Sequence, residues 1–523
     1  MEGNKNKRRM IWCFVQVAVC VLILLTFSMK WCMKYFGNIS MNEIMFTLNM
    51  PLKGASNEYY ATYLLEVFTP TVFVCILFVL SSFVLSRLFI TYNIFLNIRI
   101  RRIKGRFYLN RLFSKRILGW GILAVWFLII LYTADKNYKI WDYIKNNVEA
   151  SAFIENEYVS VDDIQIKFPK DKKNLICIFV ESAETTFQDK ENGGVFEENI
   201  IPEMTDIAKK NISFSQSECI EGAAVAPGTG WTIAALVAQT SGIPLKLYSY
   251  GVGTKGPDNA MGKYEYFLPG AVSLGELLEQ NGYHNFFMAG SDFSFGGRTD
   301  YFTQHGNYEI WDYFSAGEEG KISNDYIVKW GFEDLKLYEF AKEKLLELAE
   351  RDQPFNFSML TVDTHTGGGY VCERCPDIFE NSYANVWACA SRQLDDFLNW
   401  LEQQEFYNDT VIYIAGDHSS MQGDFVEDYI YDKHNGETER KVYNAFINAQ
   451  KDPVRMKNRK FTTLDFCPSI LAALGVDIEG ERIGLGTNLF SDKQTLSEEY
   501  GYEMMFEELG KKSVFYNKEI LYP

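Results

Sequence analysis

Residues 10–29 run for 20 positions without a charge, directly after Lys5, Lys7, Arg8 and Arg9. About 20 apolar residues match the hydrocarbon thickness of a bilayer, and a helix is the one open chain that satisfies its own backbone there. A cleaved signal peptide would have a shorter apolar core and a small-residue cleavage site. Ser28-Met29-Lys30-Trp31 does not resemble such a site. Apolar runs at residues 67–86, with Pro70 near its edge, and 117–133 predict a second and a third span. The loop between them carries Arg87, Arg99, Arg101, Arg102, Lys104, Arg106, Arg111, Lys115 and Arg116. Excess positive charge marks cytoplasmic loops, so this loop and the N-terminus are expected inside. Three spans then place everything after residue 135 outside the cytoplasm.

The expected division is a transmembrane region over 1–135, a linker helix over 136–173, an exported domain over 174–495 and a C-terminal extension over 496–523. The linker helix rests on an amphipathic pattern over 141–154, of the kind that lies along a membrane surface or a domain. The whole chain carries a net charge of −17 although its first 135 residues are basic, so the exported part is strongly acidic. That balance argues against a nucleic-acid partner, whose binders present basic patches. The apolar run 175–180 reads as a strand buried on both faces. Further strands are expected at 285–288, 357–362 and 410–414, with helices at 274–280, 335–351 and 386–404. Such alternation predicts an α/β domain with a mostly parallel central sheet.

Ligands of such sheets bind beyond the carboxyl ends of the strands. Those ends read Glu181, then Ser291-Asp292 leading to Gly296-Gly297-Arg298, then Asp363-Thr364-His365, then Gly416-Asp417-His418. Two carboxylates and an imidazole, Glu181, Asp417 and His418, suit Zn²⁺ or Mn²⁺ with a coordination position left open. Pro227-Gly228-Thr229-Gly230-Trp231-Thr232 precedes an apolar helix expected from Ile233. Thr232 therefore stands at or near a helix N-terminus, where free N–H groups favour a phosphate. A divalent ion beside it would activate its hydroxyl as a nucleophile. The simpler alternative is that Thr232 only caps the helix.

These stretches resemble the membrane phosphoglycerol transferases of the alkaline phosphatase/sulfatase superfamily, a group that includes lipoteichoic acid synthases and the transferases of osmoregulated periplasmic glucans. The resemblance covers roughly residues 174–486. It rests on Gly228-Thr229-Gly230-Trp231-Thr232-Ile233-Ala234 with Ser241-Gly242-Ile243-Pro244-Leu245, and on Val180-Glu181-Ser182, Phe295-Gly296-Gly297-Arg298, Gln304-His305-Gly306, Asp363-Thr364-His365 and Asp417-His418. Gly296 stands where the synthases carry a tryptophan, and Ile233 replaces a hydroxyl-bearing residue. The resemblance implies an alkaline phosphatase/sulfatase-like fold behind an N-terminal helical membrane region. It implies one metal ion, Mn²⁺ first, with Zn²⁺ or Mg²⁺ as alternatives, on Glu181, Thr232, Asp417 and His418. It implies Thr232 as nucleophile, with Arg298 and His365 contacting the phosphoglycerol and His365 a possible general acid. The implied reaction moves phosphoglycerol from phosphatidylglycerol to a glycan or polyglycerol phosphate acceptor and releases diacylglycerol. The implied location is a bacterial inner (cytoplasmic) membrane, multi-pass, with the catalytic domain on the periplasmic or extracellular side.

Rival readings are a phosphoethanolamine transferase or phosphodiesterase of the same superfamily and, in another class, a non-catalytic envelope protein that binds glycans or acts as a scaffold. The Cys- or Ser-x-Pro-x-Arg stretch of a sulfatase nucleophile is missing at the right place. His284 and His305 read as structural, His434 as a solvated loop residue, and Asp465 as the cap of a helix from Phe466. Cys372, Cys375 and Cys389 suggest a disulfide that orders the loop after His365, since no second Cys-x-x-Cys completes a zinc site.

Overall fold

The computed structural model describes residues 2–37, 39–49, 57–91, 95–100, 103–108, 116–246, 266–323, 325–431, 438–521 and 523. The chain divides into two compact units, Met1–Asn38 with Ser56–Ile140, and Ile39–Ala55 with Trp141–Pro523.

Among the described residues of the first unit, two helical stretches, Trp12–Phe36 and Tyr59–Val84, are long and apolar enough to cross a membrane. The second bends through one π-helical turn, Leu64–Phe68. Their apolar side chains are largely exposed, Phe14, Leu65, Phe73 and Leu80 among them, as lipid-facing residues are. A helix, Arg116–Tyr138, runs over the third expected span. The basic loop forms an antiparallel pair, Phe95–Ile100 with Ile103–Tyr108.

The second unit is built on a six-stranded sheet. Its strands are β1 (Asn174–Val180), β2 (His284–Ala289), β3 (Glu309–Trp311), β4 (Phe355–Leu360), β5 (Thr410–Gly416) and β6 (Asn444–Ile447), in the spatial order β3-β2-β4-β1-β5-β6. All pairings are parallel except β5 with β6. Side chains alternate across the central strand β1. Leu175, Cys177 and Phe179 join one core cluster; Ile176, Ile178 and Val180 join the other. Both faces are covered, so the strand reads as a continuous apolar run. Each such buried aliphatic or aromatic side chain contributes about 1.5–3 kcal/mol relative to exposure.

The helices that bear on the site are α1 (Met41–Asn49), α2 (Pro202–Lys210), α3 (Thr232–Ser241), α4 (Leu274–Gln280), α5 (Arg298–Gln304), α6 (Asp334–Ala349), α7 (Ser382–Leu401) and α8 (Phe466–Ala473). Helix α3 shares its core with α8, while α2, α6 and α7 belong to the opposite core.

The structure revises three boundaries. Residues 39–55 group with the second unit rather than with the spans that flank them in sequence. The reason is packing: Phe46 of α1 is buried against Trp231, with ring centroids 5.2 Å apart. The linker is two short helices, Ile140–Val148 and Phe153–Glu157, because Phe153 and Ile154 turn into the core. The C-terminal extension is part of that core too, through Leu496, Met505, Leu509, Tyr516 and Ile520.

Candidate active site

Three strand ends and one helix start meet at the carboxyl edge of the sheet. Trp231, in extended conformation, is the N-cap of α3, and Thr232 is its first helical residue. Thr232 therefore lies past the cap position, and its hydroxyl is 3.3 Å from His418 Nε2. The turn before it needs Gly228, at φ +83°, because a Cβ there would sit 2.8 Å from the Leu245 carbonyl oxygen.

Glu181, Asp417 and His418 are buried side by side, with potential ligand atoms all within 4.8 Å of one another. His418 Nε2 lies 3.2 Å from Asp417 Oδ2 and 3.5 Å from Glu181 Oε1. His418 Nδ1 is 2.9 Å from the Ser419 carbonyl oxygen, which can only accept. The ring proton therefore belongs on Nδ1, and Nε2 presents its lone pair to the cluster. Asp417 Oδ1 accepts from the backbone N–H groups of Ser182 and His418. Asp417 Oδ2 is buried with no hydrogen-bond partner. An orphaned carboxylate oxygen beside a second carboxylate and an imidazole lone pair is a donor set for a divalent cation. The three side chains present therefore fit a metal ion, with the Thr232 hydroxyl within reach of the same centre.

The surroundings hold these groups in place. Ser182 has φ +60°, a left-handed conformation that costs energy for a residue with a side chain. That twist lets its N–H reach Asp417 while its hydroxyl donates to Glu181 Oε1 at 2.7 Å. Gln239 of α3 donates to the carbonyl oxygens of Gly416 (2.9 Å) and Asp417 (3.2 Å), and its own oxygen accepts from Tyr413. Behind the His418 loop, Arg440 forms a buried pair with Glu184 and donates to the Ser420 carbonyl.

Arg298 opens α5 and is buried. Its Nε donates to the Phe295 carbonyl and its Nη2 to the Asp292 carbonyl, both at 2.8 Å. Those bonds fix the plane of the guanidinium. Burial lowers its pKa to about 10, so it stays charged at neutral pH, in the field of Glu181 and Asp417. His365 packs against Trp330, ring centroids 4.6 Å apart. Burial, with His418 nearby, pulls its pKa down to about 4, so the imidazole is neutral at physiological pH. Burial and the Glu181 charge push Asp417 up to about 7. Burial works against a charged His418, but Asp417 and Glu181 outweigh it and raise its pKa.

Of the six residues singled out in the sequence, Thr232, Glu181, Asp417 and His418 come together by contact or close approach, while Arg298 and His365 lie within electrostatic reach of that cluster. Gln239 and Arg440 belong to no motif of their own and reach the site only through the fold, whereas Ser182 stands within the Val180-Glu181-Ser182 stretch without a role legible there. Glu43 is a further arrival, from α1 between the two spans. It is half-buried near His418, and burial lifts its pKa to about 7. The remaining readings resolve simply. His305 is buried and bonded to the Phe267 carbonyl oxygen (2.7 Å) and Glu276; His284 pairs with Glu309. Contrary to expectation, Asp465 does not cap the helix from Phe466 with its side chain; it closes a capping box one turn earlier with Thr462, and its other oxygen accepts from Thr487 N–H. His434 lies outside the described residues.

The chain is 29% identical over 339 residues to phosphoglycerol transferase I of Escherichia coli O6:K15:H31 (strain 536 / UPEC) and, over the same length, to that of Shigella flexneri. The match takes in 63% of this chain and 40% of either relative, so the chain spans well under two thirds of their length. Among solved structures it is similar to the lipoteichoic acid synthase LtaP from Listeria monocytogenes, with 18% identity and a TM-score of 0.47 over 65% of this chain and 82% of that one. The Sulfatase family model matches residues 173–476, more than half of the chain, a range that includes Glu181, Thr232, Arg298, His365, Asp417 and His418 but not Glu43. The chain belongs to the sulfatase family.

Proposed function

We propose that this protein is a metal-dependent phosphoglycerol transferase. It takes phosphoglycerol from phosphatidylglycerol and delivers it to an extracytoplasmic glycan or polyglycerol phosphate acceptor. The observation that carries this reading is the Thr232 hydroxyl, free of any capping role at an open helix N-terminus and 3.3 Å from His418 Nε2 beside an orphaned Asp417 oxygen. The 29% identity to two proteins named phosphoglycerol transferase I supports the choice of group transferred.

Glu181, Asp417, His418 and Thr232 would hold one divalent cation, Mn²⁺ first and Zn²⁺ or Mg²⁺ next. When bound, the cation supplies charge neutralisation at phosphate and lowers the pKa of a hydroxyl beside it. Thr232 Oγ1 gives up its proton to solvent as it attacks phosphorus, the bond from phosphorus to the diacylglycerol oxygen breaks, and diacylglycerol leaves with a proton taken from solvent. An acceptor hydroxyl then attacks the same phosphorus, loses its proton, and Thr232 Oγ1 departs. Arg298, its plane fixed by two carbonyls, offers its remaining N–H groups to the phosphoryl oxygens. His365, neutral at physiological pH, hydrogen-bonds the phosphoryl group rather than serving as an imidazolium acid. The free N–H groups of the first turn of α3 face the same charge. The apolar helices anchor the chain in the bacterial cytoplasmic membrane as a multi-pass protein, with the catalytic unit outside among its donor lipids.

The test is diacylglycerol release by the full chain in vesicles containing either phosphatidylglycerol or phosphatidylethanolamine. Release from phosphatidylglycerol, absent in Thr232→Ala, is expected. Preference for phosphatidylethanolamine would reassign the protein to the phosphoethanolamine transferases. Unimpaired release by Thr232→Ala would remove the nucleophile from the account.

A further inference from the structure

A second cluster of metal-binding side chains follows the His365 segment. We propose that Cys372, Cys375, Cys389 and the side-chain amide of Gln393 form a second metal site, separate from the catalytic cluster and suited to a thiophilic ion, Zn²⁺ first.

The three cysteines are free, and their sulfurs lie within 4.8 Å of one another. Cys372 Sγ is 3.5 Å from Cys389 Sγ and 3.7 Å from Cys375 Sγ. Zn–S bonds of about 2.3 Å in a tetrahedron put neighbouring sulfurs about 3.8 Å apart. A disulfide would bring two of them to about 2.05 Å and strand the third. The observed spacing is that of vertices around one ion.

Gln393 occupies the fourth vertex. Its amide Nε2 is 3.2 Å from Cys389 Sγ and 3.8 Å from Cys372 Sγ. With Zn–O of about 2.1 Å, the sulfur-to-oxygen edge is about 3.6 Å, between those two values. Gln393 is 4% exposed, and its Oε1 has no hydrogen-bond partner. The two ends of an amide are distinguished only by their bonding, so turning it places Oε1 toward the sulfurs and removes the orphan. Cys389 and Gln393 are four residues apart on α7 and share one face. Cys372 and Cys375 come from a tight turn closed by the Cys375 N–H on the Cys372 carbonyl (3.1 Å). The Cys372 N–H in turn points at Cys375 Sγ (3.2 Å), the backbone-to-sulfur contact that supports a metal thiolate. Three thiolates and Zn²⁺ leave one negative charge. Arg374 lies in the field of Cys372 and Cys389 and is itself paired with Asp396 on α7.

The site has a mechanical consequence. Gly367, Gly368 and Gly369 stand in succession between His365 and the cysteines, all at positive φ, and the N–H groups of Gly367 and Gly368 donate to Gln422 Oε1 at 2.7 and 2.8 Å. A metal joining Cys372 and Cys375 to α7 pins the far end of this segment to the core and limits the positions open to His365.

The test is cobalt substitution of the full chain, purified without chelator, together with its zinc content. Thiolate-to-cobalt charge-transfer absorption with tetrahedral visible bands is expected in the wild type. It should persist in Asp417→Ala, which disables the catalytic cluster, and vanish in Cys389→Ser. Bound zinc should fall by one per chain between wild type and Cys389→Ser, and Gln393→Ala should shift the visible bands. Because the wild type alone yields the absorption, a variant that fails to fold does not decide the matter. A disulfide between any two of the three cysteines in non-reducing peptide maps would overturn the proposal. So would three alkylatable thiols with no charge-transfer absorption.

Discussion

Gly416 sits between the last core residue of β5 and Asp417, and replacing it with alanine should separate the two halves of the catalytic cluster. A Cβ built there falls 1.9 Å from the Ala183 carbonyl oxygen, whereas real Cβ atoms essentially never approach within 3.0 Å. The backbones of residues 183 and 416 must therefore part by at least 1.1 Å, the difference of those two distances. Neither can yield cheaply. The Ala183 oxygen accepts from Tyr443 N–H, and Gly416 donates to the Tyr443 oxygen and accepts from Gln239. The residues on either side are Ser182 and Asp417, joined by a 2.7 Å bond that a shift of this size breaks. Overpacking of this kind costs about 1–3 kcal/mol in stability. A displacement of about 1 Å at a reacting centre costs about 10²-fold in rate. Gly416→Ala should thus remain folded by circular dichroism and gel filtration, lose about two orders of magnitude in kcat/KM for diacylglycerol release, and bind its cation more weakly. Gly282→Ala is the control. Gly282 sits at φ +83°, where a side chain is strained, but it has no neighbour within 4 Å, and the variant should keep full activity. A Gly416→Ala protein with wild-type turnover would refute the claim that the Ser182–Asp417 contact sets the site.

Other expectations follow from single groups. Arg298→Lys keeps the charge but cannot bond Phe295, Asp292 and phosphate together, so kcat/KM should fall about 10–100-fold, the worth of one charge-assisted bond of about 1.5–3 kcal/mol; an unchanged value would place Arg298 outside the substrate. His365→Gln should cost a similar factor through a lost hydrogen bond while leaving the pH profile unchanged above about pH 5, because the imidazole is already neutral there; loss of an activity limb near neutrality would restore an acid role. Lys246 is buried, donates to the Leu509 and Lys511 carbonyls, and has its pKa lowered by burial to about 7. Its unfolded value is about 10.4, so across that window the unfolded chain binds the extra proton and stability rises with pH. The denaturation midpoint of the wild type should climb relative to Lys246→Met from about pH 7 to about pH 10 and hold a constant offset below; a flat difference would contradict it.

Much of the site was legible because its chemistry sits at strand ends. Residues 175–180, 285–288 and 410–414 are apolar enough to mark three strands, and the acids and histidines that follow them could only gather at one edge. Strands β3 and β6 were not legible. Glu309–Trp311 is three residues long, and Asn444–Ile447 lies at the edge beyond β5, where its pairing depends on a distant partner. Thr232 was read as lying at a helix start, but sequence could not separate a cap from a free hydroxyl; the extended backbone of Trp231 does. The roles of Ser182 and Gln239 are not legible for a related reason, since they lie in backbone twist and in bonds to residues far along the chain. Helix α1 was absorbed into the membrane region because composition does not reveal that Phe46 packs on Trp231.

The central claim is that Thr232 carries the phosphoryl group between donor and acceptor. The direct measurement is the intact mass of the full chain after incubation with phosphatidylglycerol and Mn²⁺, followed by peptide mapping. The account predicts one added phosphoglycerol, located on Thr232, absent in Thr232→Ala and discharged when an acceptor glycan is supplied. Diacylglycerol release at an undiminished rate from Thr232→Ala, with no adduct on the wild type, would contradict it.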